Sequence, residues 1–264
     1  RMKSGRAVET KAFLKFAASQ AKKWSKRETA KCQAIVENVS AKLSWLSVHL
    51  PPEILLIKTS GKEEGDSPYT RGGAIVFPRT LLGAPDNMVE TVFLHELFHV
   101  ITHHNPTLRG ELYAIVGFGV CNRIEWPAGL ASRRITNPDA AVLDVFIELK
   151  HGARSISAAP VLLSSVERYD PSDHRPFPMG YLNFQFLELE GDKKEWRPRL
   201  VGGKPQLVDP SSVSGFHEKI GRNTQYTIHP EEVLADNFVL VVRNAQSVPS
   251  PGIVTALRRV LSGE

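Results

Sequence analysis

The chain has 264 residues, 33 Lys+Arg against 28 Asp+Glu for a net charge of +5, and 42% hydrophobic residues. This composition excludes intrinsic disorder and collagen-like repeats, and the length suffices to bury a sizeable core without staples. Cys32 and Cys121 form no CxxC or zinc-ribbon spacing, so neither a disulfide scaffold nor a thiolate metal site is implied, though a single bridge stays open.

Apolar spacing predicts helices over 7–24 and 27–48, ended by Pro51-Pro52. Ten Lys and Arg between Arg1 and Lys31 face only Glu9 and Glu28, so residues 1–50 read as a basic N-terminal helical segment, its charge a solvated helix face. A buried strand is expected at 53–59, a polar loop at 59–73, and a short strand at 73–78 whose Pro78 places it at a sheet edge. Residues 86–104 form the strongest helix expectation, with Asp86 as N-cap and Asn105-Pro106 as the stop. A second helix is expected at 109–120, while 140–149 reads equally as helix or strand. Strands are expected within 160–190, notably 181–189, and loops at 167–180 and 191–216. Helices return at 230–242, with Pro230 in the first turn, and at 253–261.

Within the helix at 86–104 lies His95-Glu96-Leu97-Phe98-His99. Positions four apart in a helix differ by only about 40° in direction, so His95 and His99 project from one face and can converge on one metal ion. Imidazole suits zinc, and Glu96, beside the first ligand, is placed to hold and deprotonate a water on the metal rather than to bind it. Composition alone generates this pattern in roughly one shuffled chain in fifty, before requiring that it fall on a helix. The metzincin extension fails, because Thr102 and Asn105 stand where Gly and a third His are needed; His103 and His104 read as C-terminal caps.

A third ligand is best sought in the helix at 229–238, where Glu232 and Asp236 share a face opposite Leu234, Phe238 and Val241. A carboxylate followed at i+4 by Asp can bind zinc and orient a ligand histidine through its other ring N–H. Glu231, His229 and Glu111 are the competing third ligands. On these residues the chain resembles the gluzincins, the thermolysin-like zinc peptidases in which HExxH is joined by a downstream Glu-xxx-Asp helix. The resemblance covers about 90–104 and 226–240, with 132 residues between His99 and Glu232, far more than in thermolysin-like members. It implies an α+β, zincin-like catalytic domain over 51–264 with a long insertion at about 106–225. It also implies a Zn2+ ion on His95, His99 and Glu232, Glu96 as general base, and Asp236 behind a zinc histidine.

Amide hydrolysis needs a donor for the oxyanion besides the metal. Tyr226 is the first expectation and His217 the second, with Arg222 and His229 nearby. The strand at 73–78 is expected to pair with an extended peptide. The function expected is a zinc-dependent metallopeptidase acting on a peptide or protein. Rival readings are a catalytically silent zinc-binding protein of the same fold, or a basic nucleic-acid or membrane-surface binder whose HExxH is accidental. No GxSxG, P-loop or specific nucleic-acid motif is present. No apolar stretch reaches the ~18 to 20 residues of a membrane span, so a soluble protein is expected. The chain starts at Arg1 without a visible signal-peptide hydrophobic region, which leaves export and processing open.

Overall fold

The computed structural model describes residues 7–264 except 171, 177, 178, 193 and 194. In chain order the elements are α1 (Thr10–Ser19), α2 (Lys26–Lys42), β1 (Leu55–Thr59), β2 (Tyr69–Arg71), β3 (Ala74–Pro78), α3 (Arg79–Leu82), α4 (Asp86–His104), α5 (Pro106–Ile115), β4 (Phe118–Val120) and α6 (Ala128–Ala131). They continue with β5 (Val145–His151), β6 (Arg154–Ser164), β7 (Leu182–Asp192), β8 (Glu195–Pro198), β9 (Leu200–Val201), β10 (Lys204–Pro205), β11 (Leu207–Val208), β12 (Val213–Ser214), α7 (Phe216–Ile220), α8 (Pro230–Val242) and α9 (Pro251–Ser262). The class is mixed α+β, with helices outweighing strands. No helix among the described residues is long and apolar enough to cross a membrane.

Among the described residues the strands form three sheets, of which β9 and β10 make a separate antiparallel pair and the other two pack with the helices. The smaller has the order β1-β3-β2, with β1 parallel and β2 antiparallel to β3. The larger is antiparallel with the order β11-β7-β6-β5-β12, β4 adding to β5 and β8 to β7. In the middle of β6 and β7 both faces are buried, since successive side chains point to opposite sides: neighbouring Phe186 and Leu187 are both fully buried, yet belong to different clusters. Val145, Ile147, Ala158 and Phe186 face the helices in the main core, whereas Val161, Leu163, Leu187 and Trp196 pack with Ile124, Leu130 and Leu143 on the other side.

α2 starts at a capping box, Ser25 accepting from the Glu28 amide while the Glu28 carboxylate accepts from the Ser25 amide. Cys32, Ile35 and Val39 carry α2 into the main core, so the N-terminal segment packs with the rest of the chain rather than beside it. Part of its positive charge is paired internally, Lys31 with Asp86 and Lys42 with Glu90, while its Glu28 takes Lys58 of β1.

Several expectations are corrected. β3 is the central strand of its sheet, not an edge, because the 59–73 segment contains β2, which pairs along its second side. β1 is only half buried, with Leu55 and Ile57 facing outward. The helix expected at 109–120 stops at Ile115, since Gly117 takes a left-handed φ of 78° with the Lys219 side chain over it, and β4 follows. The ambiguous 140–149 segment resolves as strand from Val145. The 191–216 stretch holds five short strands, not a loop. Asp86 is the first helical residue of α4 rather than its N-cap, and Pro85 precedes it. His103 does not cap α4; its Nε2 bonds the Asp139 carbonyl at 2.9 Å.

Candidate metal centre

α4 and α8 lie against each other, the Phe98 and Phe238 rings 5.7 Å apart and both side chains fully buried. α8 is entered through His229, whose Nδ1 accepts from the Glu231 amide, with Pro230 at the first turn where its missing N–H is harmless. This entry fixes the rotation of α8 and so where its acidic residues point. His95 and His99 leave one face of α4, and three carboxylates of α8 meet them.

Each carboxylate has a separate partner. Asp236 Oδ1 lies 2.9 Å from His95 Nδ1, and Glu231 Oε1 lies 3.0 Å from His99 Nδ1. Glu232 Oε2 lies between the rings, 3.0 Å from His95 Nε2 and 3.6 Å from His99 Nε2. The ligand atoms of His95, His99 and Glu232 all fall within 4.8 Å of one another. Three donors at 2.0–2.1 Å around a tetrahedral ion stand about 3.3 Å apart, and the two Glu232 separations bracket that value. His99 Nε2 is fully buried without a hydrogen-bond partner, and both Nδ1 atoms are engaged by carboxylates. The residues therefore fit a divalent cation such as zinc: two imidazoles with backing carboxylates present their remaining nitrogens to one carboxylate oxygen.

A further ring of polar groups fixes these side chains. Thr102 and Tyr113 donate hydroxyl hydrogen bonds to Glu231 Oε1 and Oε2, and Thr224 donates to Asp236 Oδ2. Asn137 Nδ2 donates to Glu232 Oε1 at 2.6 Å. Thr70 Oγ1, on β2, donates to Glu96 Oε2 at 2.8 Å, and the Thr70 amide donates to Asp139 Oδ1 at 2.6 Å. Asp139, Glu96 and His99 form a second group of ligand atoms within 4.8 Å, all three buried. Tyr226 stacks on His95 with ring centroids 6.2 Å apart and is 42% exposed, so it faces the cluster from the solvent side.

The electrostatics follow from crowding carboxylates and imidazoles out of water. Burial opposes a charged ring at His95, but the bonds to Asp236 and Glu232 prevail and hold it up at about 9. His99 is likewise raised against its own burial, by Glu232 and Glu231. Glu232 and Glu231 stay depressed despite burial because His99 pairs with both. Burial raises Glu96, with the two histidines pulling the other way. Burial also lifts Asp139 to about 8, reinforced by Glu96 and Glu232. Tyr226 is raised by burial and then by the negative charge of Glu232.

Of the sequence-selected residues, His95, Glu96, His99, Glu232, Asp236 and Tyr226 gather here. His217 does not; it is exposed on α7 with its ring against Phe216. Glu111 is exposed on α5, and His229 caps α8 instead of facing the two histidines. Glu231, weighed only as a rival ligand, backs His99. Sequence reasoning missed Thr70, Thr102, Tyr113, Asn137 and Asp139. The paired acids Glu231-Glu232 were the one visible signal of two carboxylate roles, since adjacent helical residues point about 100° apart and can serve different histidines. No family model, no curated protein and no solved structure matches this chain.

Proposed function

We propose that the protein is a zinc-dependent hydrolase of gluzincin type, acting on peptide bonds through a zincin-like arrangement of α4, α8 and the small sheet. The observation that carries this reading is the division of labour on α8: Asp236 and Glu231 take the Nδ1 atoms of His95 and His99, and Glu232 meets their Nε2 side. In this reading His95, His99 and Glu232 hold the ion, which when bound polarises a carbonyl and acidifies water. Glu96, steadied at Oε2 by Thr70, accepts a proton from the attacking water and returns it to the leaving amine. Its raised carboxyl suits that exchange, because a group held strongly acidic would return the proton poorly. Tyr226, stacked on His95, is the residue this reading assigns to donate to the oxyanion.

The test is metal content by mass spectrometry on chain purified without added metal or chelator, beside Glu232→Ala. About one zinc per chain is expected. The variant should bind zinc about 100-fold more weakly or worse, since loss of even an outer partner of a ligand weakens binding about 10–100-fold. Zinc binding unchanged by the substitution removes Glu232 from the ligand set.

A second reading, metal binding without turnover, is favoured by Asp139, a buried carboxylate beside Glu96 and His99 that can help enclose an ion. A metal-loaded chain that cleaves no member of a broad peptide library supports it; cleavage lost in Glu96→Gln sinks it.

A further inference from the structure

β2 is an edge strand: β3 pairs along one side of it, and among the described residues no strand pairs along the other. Thr70, its middle residue, turns its N–H away from β3 to the Asp139 carboxylate, 2.6 Å away. In an antiparallel pair a residue that turns its N–H outward turns its C=O outward too, so Thr70 carries the two backbone groups with which a further strand would join. The same residue donates its hydroxyl to Glu96 Oε2 at 2.8 Å, so a peptide paired to the Thr70 backbone passes beside the proposed general base. Yet Thr70 is fully buried, and its amide is already taken.

An arc of chain at 136–142 covers this edge. It is hung from both ends: the Arg133 carbonyl and the Ile135 amide bond to Ser164 and Leu162 at β6, and the Leu143 carbonyl accepts from the Ile124 amide. Between those anchors it contains neither helix nor strand. Besides the bond from Thr70 to Asp139, it is held down by His103 Nε2 on the Asp139 carbonyl at 2.9 Å, Arg71 Nη1 on the Pro138 carbonyl at 2.5 Å, and Asn137 Nδ2 on Glu232 Oε1 at 2.6 Å. The Asp139 carboxylate also stands with ligand atoms of Glu96 and His99 inside 4.8 Å. One side chain thus occupies the edge of β2 and the ground beside the ion's site.

We propose that this arc is an autoinhibitory strap: the Asp139 side chain holds the backbone position on β2 that an extended peptide substrate needs, and cleavage awaits its release. Its inhibitory role rests on the hydrolase reading, whereas the cover over Thr70 is independent of it. A carboxylate oxygen accepting a strand amide stands in for the carbonyl of a paired peptide, and because it belongs to the same chain it competes at a high effective concentration. The anchors at β6 and Ile124 let the arc lift without unravelling the large sheet.

The test pairs amide exchange, read by NMR on the metal-free 15N-labelled full chain, with cleavage of a randomised peptide library by the zinc-loaded chain. Asp139→Ala should speed exchange of the Thr70 amide at least about tenfold, the scale of one hydrogen bond to a charged group, while the Phe77 amide on β3 keeps its parent rate. The initial rate of library cleavage should rise about as much, with zinc affinity unchanged. Arg71→Met removes an exposed side chain that ties down Pro138 and leaves the bond from Thr70 to Asp139 intact. Faster Thr70 exchange and faster cleavage in this variant therefore report lifting of the arc, and they serve if Asp139→Ala fails to fold. Unchanged Thr70 exchange in both variants overturns the strap, and so does faster exchange with cleavage at or below the parent rate. A tenfold loss of zinc affinity in Asp139→Ala overturns it as well, by making Asp139 a ligand of the ion. Faster exchange with no cleavage by zinc-loaded parent or variants overturns the hydrolase reading, and the inhibitory role with it, while the cover over Thr70 stands.

Discussion

Glu96 shows how one side chain acquires two requirements at once. In the proposed mechanism it must be close enough to the ion's site to exchange protons and dry enough to hold one, and α4 buries it to 2% exposure on the helix that carries His95 and His99. Glu96→Gln preserves the shape and the capacity to bond Thr70, and removes a carboxyl whose burial is unfavourable when charged. The variant should retain zinc and melt no lower than the parent, while hydrolysis falls about 10²–10⁴-fold, the usual range for a lost proton-transfer group. A progress curve on any cleaved peptide, with metal content measured alongside, checks this. His95 supplies a second expectation. In the metal-free protein its pKa is raised to about 9, and His99 is raised too, so the rings hold protons that a cation must displace. Apparent zinc affinity should therefore climb with pH up to about 9, by as much as tenfold per unit for each proton lost. Calorimetry in buffers of differing ionisation enthalpy should detect proton release on binding. By the same linkage, the folded-state elevation of His95 stabilises the metal-free protein below about pH 6.5, and this stabilisation is lost as pH rises through about 9.

At the scale of elements, the N-terminal helices are tied to the small sheet by a local electrostatic joint. Glu28 caps α2 at Ser25 and also takes the Lys58 ammonium from β1 at 2.6 and 2.8 Å. Its pKa is lowered to about 2, first by Lys58 and then by Ser25. A depressed carboxylate stabilises the fold above its unfolded value of about 4.5, and that contribution disappears as pH falls toward 2. Glu28→Gln should lower thermal stability at pH 7, with the difference from the parent narrowing across pH 4.5 to 2. A constant difference over that window would show that the cap and the packing of α2, not the ionic bond, hold the joint. Elsewhere, the 137–139 segment demonstrates how an element far along the chain enters the site: Asn137 holds Glu232 and Asp139 holds the Thr70 amide, so one turn of irregular chain touches α8 and β2 together.

For the whole molecule, the candidate centre spans parts that are distant in sequence, and the helices that carry its proposed ligands are also core elements. α4 and α8 contribute Leu94, Phe98, Leu234 and Phe238 to the main hydrophobic cluster while carrying the histidines and acids. Unfolding thus separates His95 and His99 from Glu232, so an ion bound only by the folded chain stabilises it by mass action. Zinc at about 1,000 times its dissociation constant should add about 4 kcal/mol. Differential scanning calorimetry should then show a melting temperature that rises with free zinc and drops on chelation. A melting temperature indifferent to zinc would mean that the ion does not bind the native centre.

The sequence by itself determined the helix that carries HExxH, the convergence of His95 and His99, and the acid-rich face of a second helix. These are properties of 3.6-residue periodicity and local stop signals, which neighbouring residues encode. It left open which acid on that helix takes which role, because Glu231, Glu232 and Asp236 differ only by rotation about an axis whose orientation depends on the capping of α8 and on packing between Phe98 and Phe238. The tertiary structure alone put Glu231 behind His99, removed His217 from the cluster, made β3 central, and brought Thr70, Tyr113, Asn137 and Asp139 to the site. Each of those outcomes depends on contacts across tens of residues, and no spacing rule along the chain records which distant segments will share a face.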